Sequence, residues 1–188
     1  MDEKDRMTQH ITVPNDRIGV IIGQKGSTKR LIEEKGGCEL RIDSKTGRIE
    51  IYNAKDPLEE LRIRDVITAI GRGFSPEKAL RLMDEEELTL DIINLSSVAA
   101  NEKEIKRISS RVIGTNGRMR EYIEKMTGCN ISVYGKTISI IGNPMGREIA
   151  HTGIQMLING SPHGPVYSFL EKKHREMIER DLLEKDVV

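Results

Sequence analysis

Ile21-Ile22-Gly23-Gln24-Lys25-Gly26 returns later in the chain as Val112-Ile113-Gly114-Thr115-Asn116-Gly117, and this doubled phrase decides the fold. The two copies lie 91 residues apart, and the register holds well beyond the glycines. It aligns Leu31-Ile32 with Tyr122-Ile123, Gly37-Cys38 with Gly128-Cys129, and Leu40 and Ile42 with Ile131 and Val133. A period of that length is too long for a solenoid repeat and suits a small domain used twice. Each copy places an apolar helical pattern before the glycines, an amphipathic helix after them, and then alternating β-type residues.

The 188 residues fit two such domains of roughly 75–80 residues each, whose modest cores favour docking on further structure. Thirty basic residues balance thirty acidic ones, so overall charge neither favours nor excludes a polyanionic partner. Local charge is uneven. From Lys103 to Lys125 there are seven Lys or Arg against three Glu, whereas 84–87 is wholly acidic. No apolar run is long enough to span a bilayer, and Met1-Asp2-Glu3-Lys4-Asp5 is no signal peptide, so a cytoplasmic protein is expected. The two cysteines, Cys38 and Cys129, occupy equivalent positions and read as small buried residues rather than a disulfide.

His10 to Val13 alternates and ends at Pro14, which suits a short strand. Asn15 or Asp16 is expected to cap a helix through Ile22, and Ser27 or Thr28 a second one with Leu31 and Ile32 facing inward. Glu39 to Asp43 and Arg48 to Tyr52 alternate around Ser44-Lys45-Thr46-Gly47, a hairpin. Asp56-Pro57 opens a long helix with Leu58, Leu61, Val66, Ile67 and Ile70 on one face. The second copy repeats the order, with a longer approach helix over 102–112. The reading is α+β, two β-α-α-β-β-α domains over 7–76 and 87–162. A connecting helix over 77–86 joins them, and a charged C-terminal helix over 163–188 packs on a domain or a partner.

A turn that grips phosphate needs glycine where side chains would bar the anion, and gains from a helix N-terminus just behind it. Gly23 and Gly26 ahead of Ser27, and Gly114 and Gly117 ahead of Arg118, supply both parts. Lys25 adds a charge inside the first turn; the second has neutral Thr115 and Asn116, with Arg111, Arg118 and Arg120 nearby. The spacing excludes a Walker loop, because Gln24 separates Gly23 from Lys25. It excludes a dinucleotide fingerprint, because the glycines start inside a helix. With two Phe, four Tyr and no Trp, the composition also disfavours RRM and OB platforms, which stack bases on rings.

Val20 to Gly26 followed by Leu31-Ile32 resembles the signature of a KH domain, whose GXXG loop clamps four backbone nucleotides. The element order resembles the type I, eukaryotic form. That resemblance implies a groove between the helix pair and the edge of the second strand, with aliphatic side chains cradling bases. In the first domain it implies Ile18, Ile21, Ile22, Leu31, Leu40, Arg41 and Ile42, with Gly23, Gln24, Lys25, Gly26, Lys29 and Arg30 at the backbone. In the second it implies Val112, Ile113, Ile123, Ile131, Ser132 and Val133, with Arg111, Gly114, Thr115, Asn116, Gly117, Arg118 and Arg120. Periodicity alone favours core over groove for each of these aliphatics, so some of them are expected in the core.

The string Ser161-Pro162-His163-Gly164-Pro165-Val166-Tyr167-Ser168-Phe169-Leu170-Glu171 is more distinctive. With both domains, it resembles the two-KH-domain ribosome assembly factors of archaea and eukaryotes, the family of partner of Nob-one. The resemblance implies binding near the 3′ end of small-subunit ribosomal RNA and assistance in its maturation. It also implies the alpha subunit of translation initiation factor two and a ribosomal-RNA-processing endonuclease as partners. The alternative is a KH adaptor in RNA decay or translational control. His10, His151, His163 and His174 are not spaced with Cys or acidic residues as a metal site requires, and no catalytic set, cofactor or metal site is expected.

Overall fold

The computed structural model describes residues 7–185, and the chain divides into two compact units between Leu90 and Asp91. The first unit runs β1 (Met7–Thr12), α1 (Asn15–Ile22), a single 3-10 turn at Gln24–Gly26, and α2 (Ser27–Gly36). It continues through β2 (Glu39–Asp43), β3 (Arg48–Tyr52), α3 (Pro57–Gly71) and α4 (Pro76–Asp84). β3 lies between β1 and β2 and is antiparallel to both. Leu40 pairs with Ile51 and Ile42 with Ile49, which turns one apolar face of the sheet toward the helices. Ile18 and Ile21 of α1, Ile32 of α2, and Ile63, Val66, Ile67 and Ile70 of α3 are buried in that core.

The second unit repeats the plan. β4 (Thr89–Asn94) leads into α5 (Glu102–Ile113), a 3-10 turn at Thr115–Gly117, α6 (Arg118–Thr127), β5 (Asn130–Tyr134), β6 (Thr137–Gly142), α7 (Pro144–Ile158) and α8 (His163–Lys185). β6 is central in the order β4-β6-β5. Ile131 pairs with Ile140 and Val133 with Ile138, and the apolar faces of α5, α6 and α7 close over them.

The repeated unit is longer than β-α-α-β-β-α. Helix α4, expected as a connector, buries Ala79, Leu80 and Leu82 and packs on α3 and α2. Helix α8 packs in the same way on α7 and α6, burying Val166 and Leu170. The two helices are one repeated element of unequal length, nine residues against 23. Tyr122 of α6 meets Tyr167 of α8 edge-on at 4.5 Å and donates its hydroxyl to Glu171 at 2.7 Å. Further along, the His174 ring donates Nδ1–H to the Met126 carbonyl at 2.8 Å.

Several local expectations are corrected. Helix α1 is preceded by Pro14 and α2 by Gly26, and neither N-terminus receives a side-chain cap from Asn15, Asp16, Ser27 or Thr28. Leu31 is 40% exposed, and Leu58 and Leu61 are 57% and 44% exposed. The buried residues of α3 are Ile63, Val66, Ile67, Ala69, Ile70 and Gly71. Leu31 lies outward, whereas the equivalent Tyr122 in the second unit is covered by the Tyr167 ring. Among the described residues no helix is long and apolar enough to cross a membrane.

Candidate nucleic-acid interface

Both glycine turns adopt nearly the same backbone. Gly23 has φ 73° and ψ 174°, and Gly114 has φ 73° and ψ 176°. The third residue of each turn is left-handed, Lys25 at φ 52°, ψ 30° and Asn116 at φ 54°, ψ 30°. Gly26 and Gly117 follow, also left-handed, and act as the helix N-caps. A Cβ on Gly23 would lie 2.3 Å from Thr28 Oγ1, and one on Gly114 would lie 2.8 Å from the Met119 backbone nitrogen. Glycine is therefore required there by space as well as by torsion.

Asparagine enters the left-handed region far more readily than lysine, whose backbone is held there at a cost of about 1 kcal/mol. The neutral Asn116 in the second turn thus has a conformational reason, and Lys25 trades backbone comfort for charge. No side chain caps α2 or α6. The first amide of each, on Ser27 or Arg118, donates back to the Gln24 or Thr115 carbonyl, and the next amides and the positive dipole ends remain for water or an anion. Gln24, Lys25, Thr115 and Asn116 are all exposed.

The opposite wall is the free edge of β2, or of β5. Leu40 donates its backbone N–H to Glu33 Oε1 at 2.8 Å, and Ile131 donates to Glu124 Oε1 at 2.7 Å. These amides therefore point away from the sheet. With backbone direction alternating along a strand, Ile42 and Val133 also present their N–H and C=O at the open edge. Those groups can read a base edge by hydrogen bonding. Glu33 and Glu124 were missed from sequence, although both fall at one repeat register, each four residues after a base. Lys29 lies 3.3 Å from Glu33 and Arg120 lies 3.9 Å from Glu124. The four residues form a repeated brace that fixes the helix against the strand edge.

The expected site residues separate accordingly. Ile22 and Ile42 are half-buried, as are Ile113 and Val133, so each pair offers an apolar surface at the turn and at the strand edge. Ile18, Ile21, Leu40, Val112, Ile123 and Ile131 are core, and Leu40 and Ile131 face the edge only through backbone. Arg30 and Arg118 are exposed beside the turns, and Arg30 Nη1 lies 3.6 Å from where a Cβ on Gly26 would stand. Lys29 reaches the site through Glu33, whereas Arg120 both pairs with Glu124 and sets Nη2 3.8 Å from where a Cβ on Gly117 would stand, beside the second turn.

Three expected residues lie elsewhere. Arg41 is on the other face of the sheet, its guanidinium carbon 4.0 Å from the centre of the Tyr52 ring and its Nε 3.1 Å from Glu39. Ser132, at the matching position, faces Ser139 across the strands and is buried. Arg111 does not stand in for the missing charge of the second turn. Its guanidinium donates to the Leu157 carbonyl at 2.9 Å and to the Ser161 carbonyl, tying the end of α5 to the end of α7.

The first unit contains the same clamp from another position. Arg17 donates to the Ile70 carbonyl at 2.8 Å and to the Phe74 carbonyl at 2.8 Å. Arg17 sits one helical turn earlier than the repeat register of Arg111, so the alignment that revealed the turns hides this pairing. Among the described residues, no group of three or more His, Cys, Asp or Glu is placed to hold a metal ion.

A three-helix layer on a β1-β3-β2 sheet, with a GXXG turn facing a strand edge, defines a type I KH domain, here present twice. Family profiles agree. The eukaryotic type KH-domain (KH-domain type I) profile of the second PNO1 domain matches residues 89–175, and the general KH domain profile matches 8–64. A KH domain-containing protein of Methanocaldococcus jannaschii is 41% identical over 93% of this chain and 77% of its own. The pre-rRNA-processing protein pno1 of Aspergillus fumigatus is 26% identical over 92% of this chain and 71% of its own.

Two solved structures of Dim2p of Pyrococcus horikoshii are similar to the chain. One crystal structure is 48% identical, with a TM-score of 0.81, over 87% of this chain and 98% of that one. The other, a complex of a/eIF2alpha, aDim2p and rRNA, is 45% identical, with a TM-score of 0.84, over 93% and 97%. The chain belongs to the PNO1/Dim2 family of two-KH-domain ribosome assembly factors.

Proposed function

We propose that the chain binds single-stranded ribosomal RNA near the 3′ end of the small subunit and assists its maturation as an assembly factor. The observation that carries this reading is the paired geometry: two superposable GXXG turns, each with uncapped helix amides behind it and a braced strand edge opposite. Family membership supplies the ribosomal setting, through relatives named for pre-rRNA processing and a relative captured with rRNA. By the same kinship we assign it the alpha subunit of translation initiation factor two and a ribosomal-RNA-processing endonuclease as protein partners. We take it to act in the cytoplasm and to bind without chemistry of its own, leaving cleavage to the endonuclease. The RNA-binding bodies are taken as 7–76 and 87–162.

The test is a fluorescence-anisotropy titration at about 150 mM salt, where long-range attraction is largely screened. A 3′-terminal small-subunit oligonucleotide is compared with a scrambled one. Markedly tighter binding to the true end is expected. Replacing Gln24-Lys25 and Thr115-Asn116 by Asp-Asp in both turns should abolish binding while leaving the fold intact, since all four side chains are exposed. Affinity that survives both acidic pairs would show that the turns do not hold the RNA.

A further inference from the structure

The first helix of the second unit differs from its counterpart in one respect that the glycine turn does not explain. α5 has 12 residues where α1 has eight. Its buried side carries Ile105, Ile108 and Val112. Its outer side exposes Lys103, Lys106, Arg107 and Ser110, which recur at the spacing of one helix face and lead up to Gly114. The matching positions of the first unit are Thr12, Asn15, Asp16 and Gly19, so this ridge is basic in one unit and neutral to acidic in the other.

The acids of α5 are occupied elsewhere. Glu102 pairs with Lys136 of the β5–β6 hairpin. Glu104 accepts from the Ala100 amide at 2.8 Å while its own amide is capped by Asn101; its other oxygen lies 3.5 Å from Arg107. Lys103 and Lys106 have no ion-pair partner among the described residues. Glu102 therefore completes the hairpin and Glu104 the helix start, and Glu104 meets the ridge at Arg107 while leaving Lys103 and Lys106 uncompensated.

We infer that the ridge Lys103-Lys106-Arg107-Ser110 is a phosphate track that extends the RNA path beyond the Gly114–Gly117 clamp. This rests on the RNA-binding reading above and gives it a footprint. The ridge runs roughly 10 Å along α5 at 1.5 Å per residue, and Gly114 lies roughly 6 Å beyond Ser110, so the ridge can follow the backbone past the four nucleotides of a lone KH clamp. Nucleic acid fits better than an acidic protein surface. The ridge is continuous with a turn whose helix amides already favour phosphate, and it carries no apolar residue of the kind that anchors protein interfaces. It also answers the missing lysine of the second turn, with charge placed along the helix instead of inside the loop.

The experiment compares an RNA of about four nucleotides, filling the clamp alone, with one of about twelve from the same sequence. The full chain is used, with and without Lys103→Ala, Lys106→Ala and Arg107→Ala together. Alanine keeps exposed helical positions helical, so the variant should fold as the parent does. The four-nucleotide RNA should bind both proteins alike. The longer RNA should bind the parent more tightly, with a salt slope steeper by about 2 than that of the variant, since each single-strand phosphate contact contributes about 0.7.

Between 50 and 200 mM salt the parent should lose about sixteenfold more affinity for the long RNA than the variant does. If the variant keeps the full advantage of the long RNA, the ridge is not the track and the extra contacts lie elsewhere. If the ridge captures polyglutamate but adds nothing to RNA binding, it faces an acidic protein and the proposal is overturned. If neither RNA binds the parent, the underlying reading fails and this one with it.

Discussion

Exchanging the third residues of the two turns separates backbone comfort from charge. Lys25 and Asn116 sit within a few degrees of the same left-handed conformation, so Asn116→Lys installs the charge of the first turn on the backbone of the second. A left-handed lysine is less favourable than a left-handed asparagine by about 0.5–1 kcal/mol. For a unit of this size that lowers the melting temperature by roughly 3–6 °C. The new ammonium would stand in solvent about 4 Å from a phosphate, where the attraction is about 1 kcal/mol, or about fivefold in affinity.

The salt slope should steepen by about 0.7 for the added contact, and Lys25→Asn should do the reverse in the first turn. Thermal unfolding followed by circular dichroism reads the first quantity, and anisotropy at several salt concentrations reads the second. An Asn116→Lys protein that melts unchanged would refute the conformational argument. One that binds no better, with an unchanged slope, would show that the third residue of the turn does not face phosphate.

Arg111→Met and Arg17→Met keep the aliphatic stem but remove two charge-assisted bonds to carbonyl groups, a loss of about 2–3 kcal/mol. Each variant should melt roughly 10–20 °C lower, and losses under about 0.5 kcal/mol in urea titrations would mean that water replaces the clamp. The Cys38 thiol is pushed up to about 11 by burial and then by the neighbouring Glu33 carboxylate. Because the fold favours its protonated form, its contribution to stability is complete below about pH 9 and is lost as pH rises toward 11. In a Cys129→Ser background at pH 8, native Cys38 should react with iodoacetamide roughly a hundredfold more slowly than in urea. Equal rates would show an open, ordinary thiol.

What was legible in the sequence was local. The turn glycines, the hairpin residues and the helix start at Asp56-Pro57 act through torsions and hydrogen bonds within a few residues. Their signals therefore survive in a linear reading, and the duplication doubled them. The apolar stripe of α3 was legible only in part. Val66, Ile67 and Ile70 turned inward as expected, but helical periodicity allowed Leu58 and Leu61 to join them. Ile63 and Ala69 were buried as well, while both leucines stayed exposed.

The sequence by itself determined two KH-type domains with a GXXG turn in each, because glycine torsion and strand alternation are properties of neighbours in the chain. Only the tertiary structure decided the role of each charge around those turns. It placed Arg111 on the carbonyls of Leu157 and Ser161, Arg41 on Tyr52, and the two glutamates on the strand edge. A long basic side chain can reach a phosphate, a carboxylate or a helix end equally well. Its partner is settled by which groups the fold leaves nearby, and those groups come from residues up to 57 positions away.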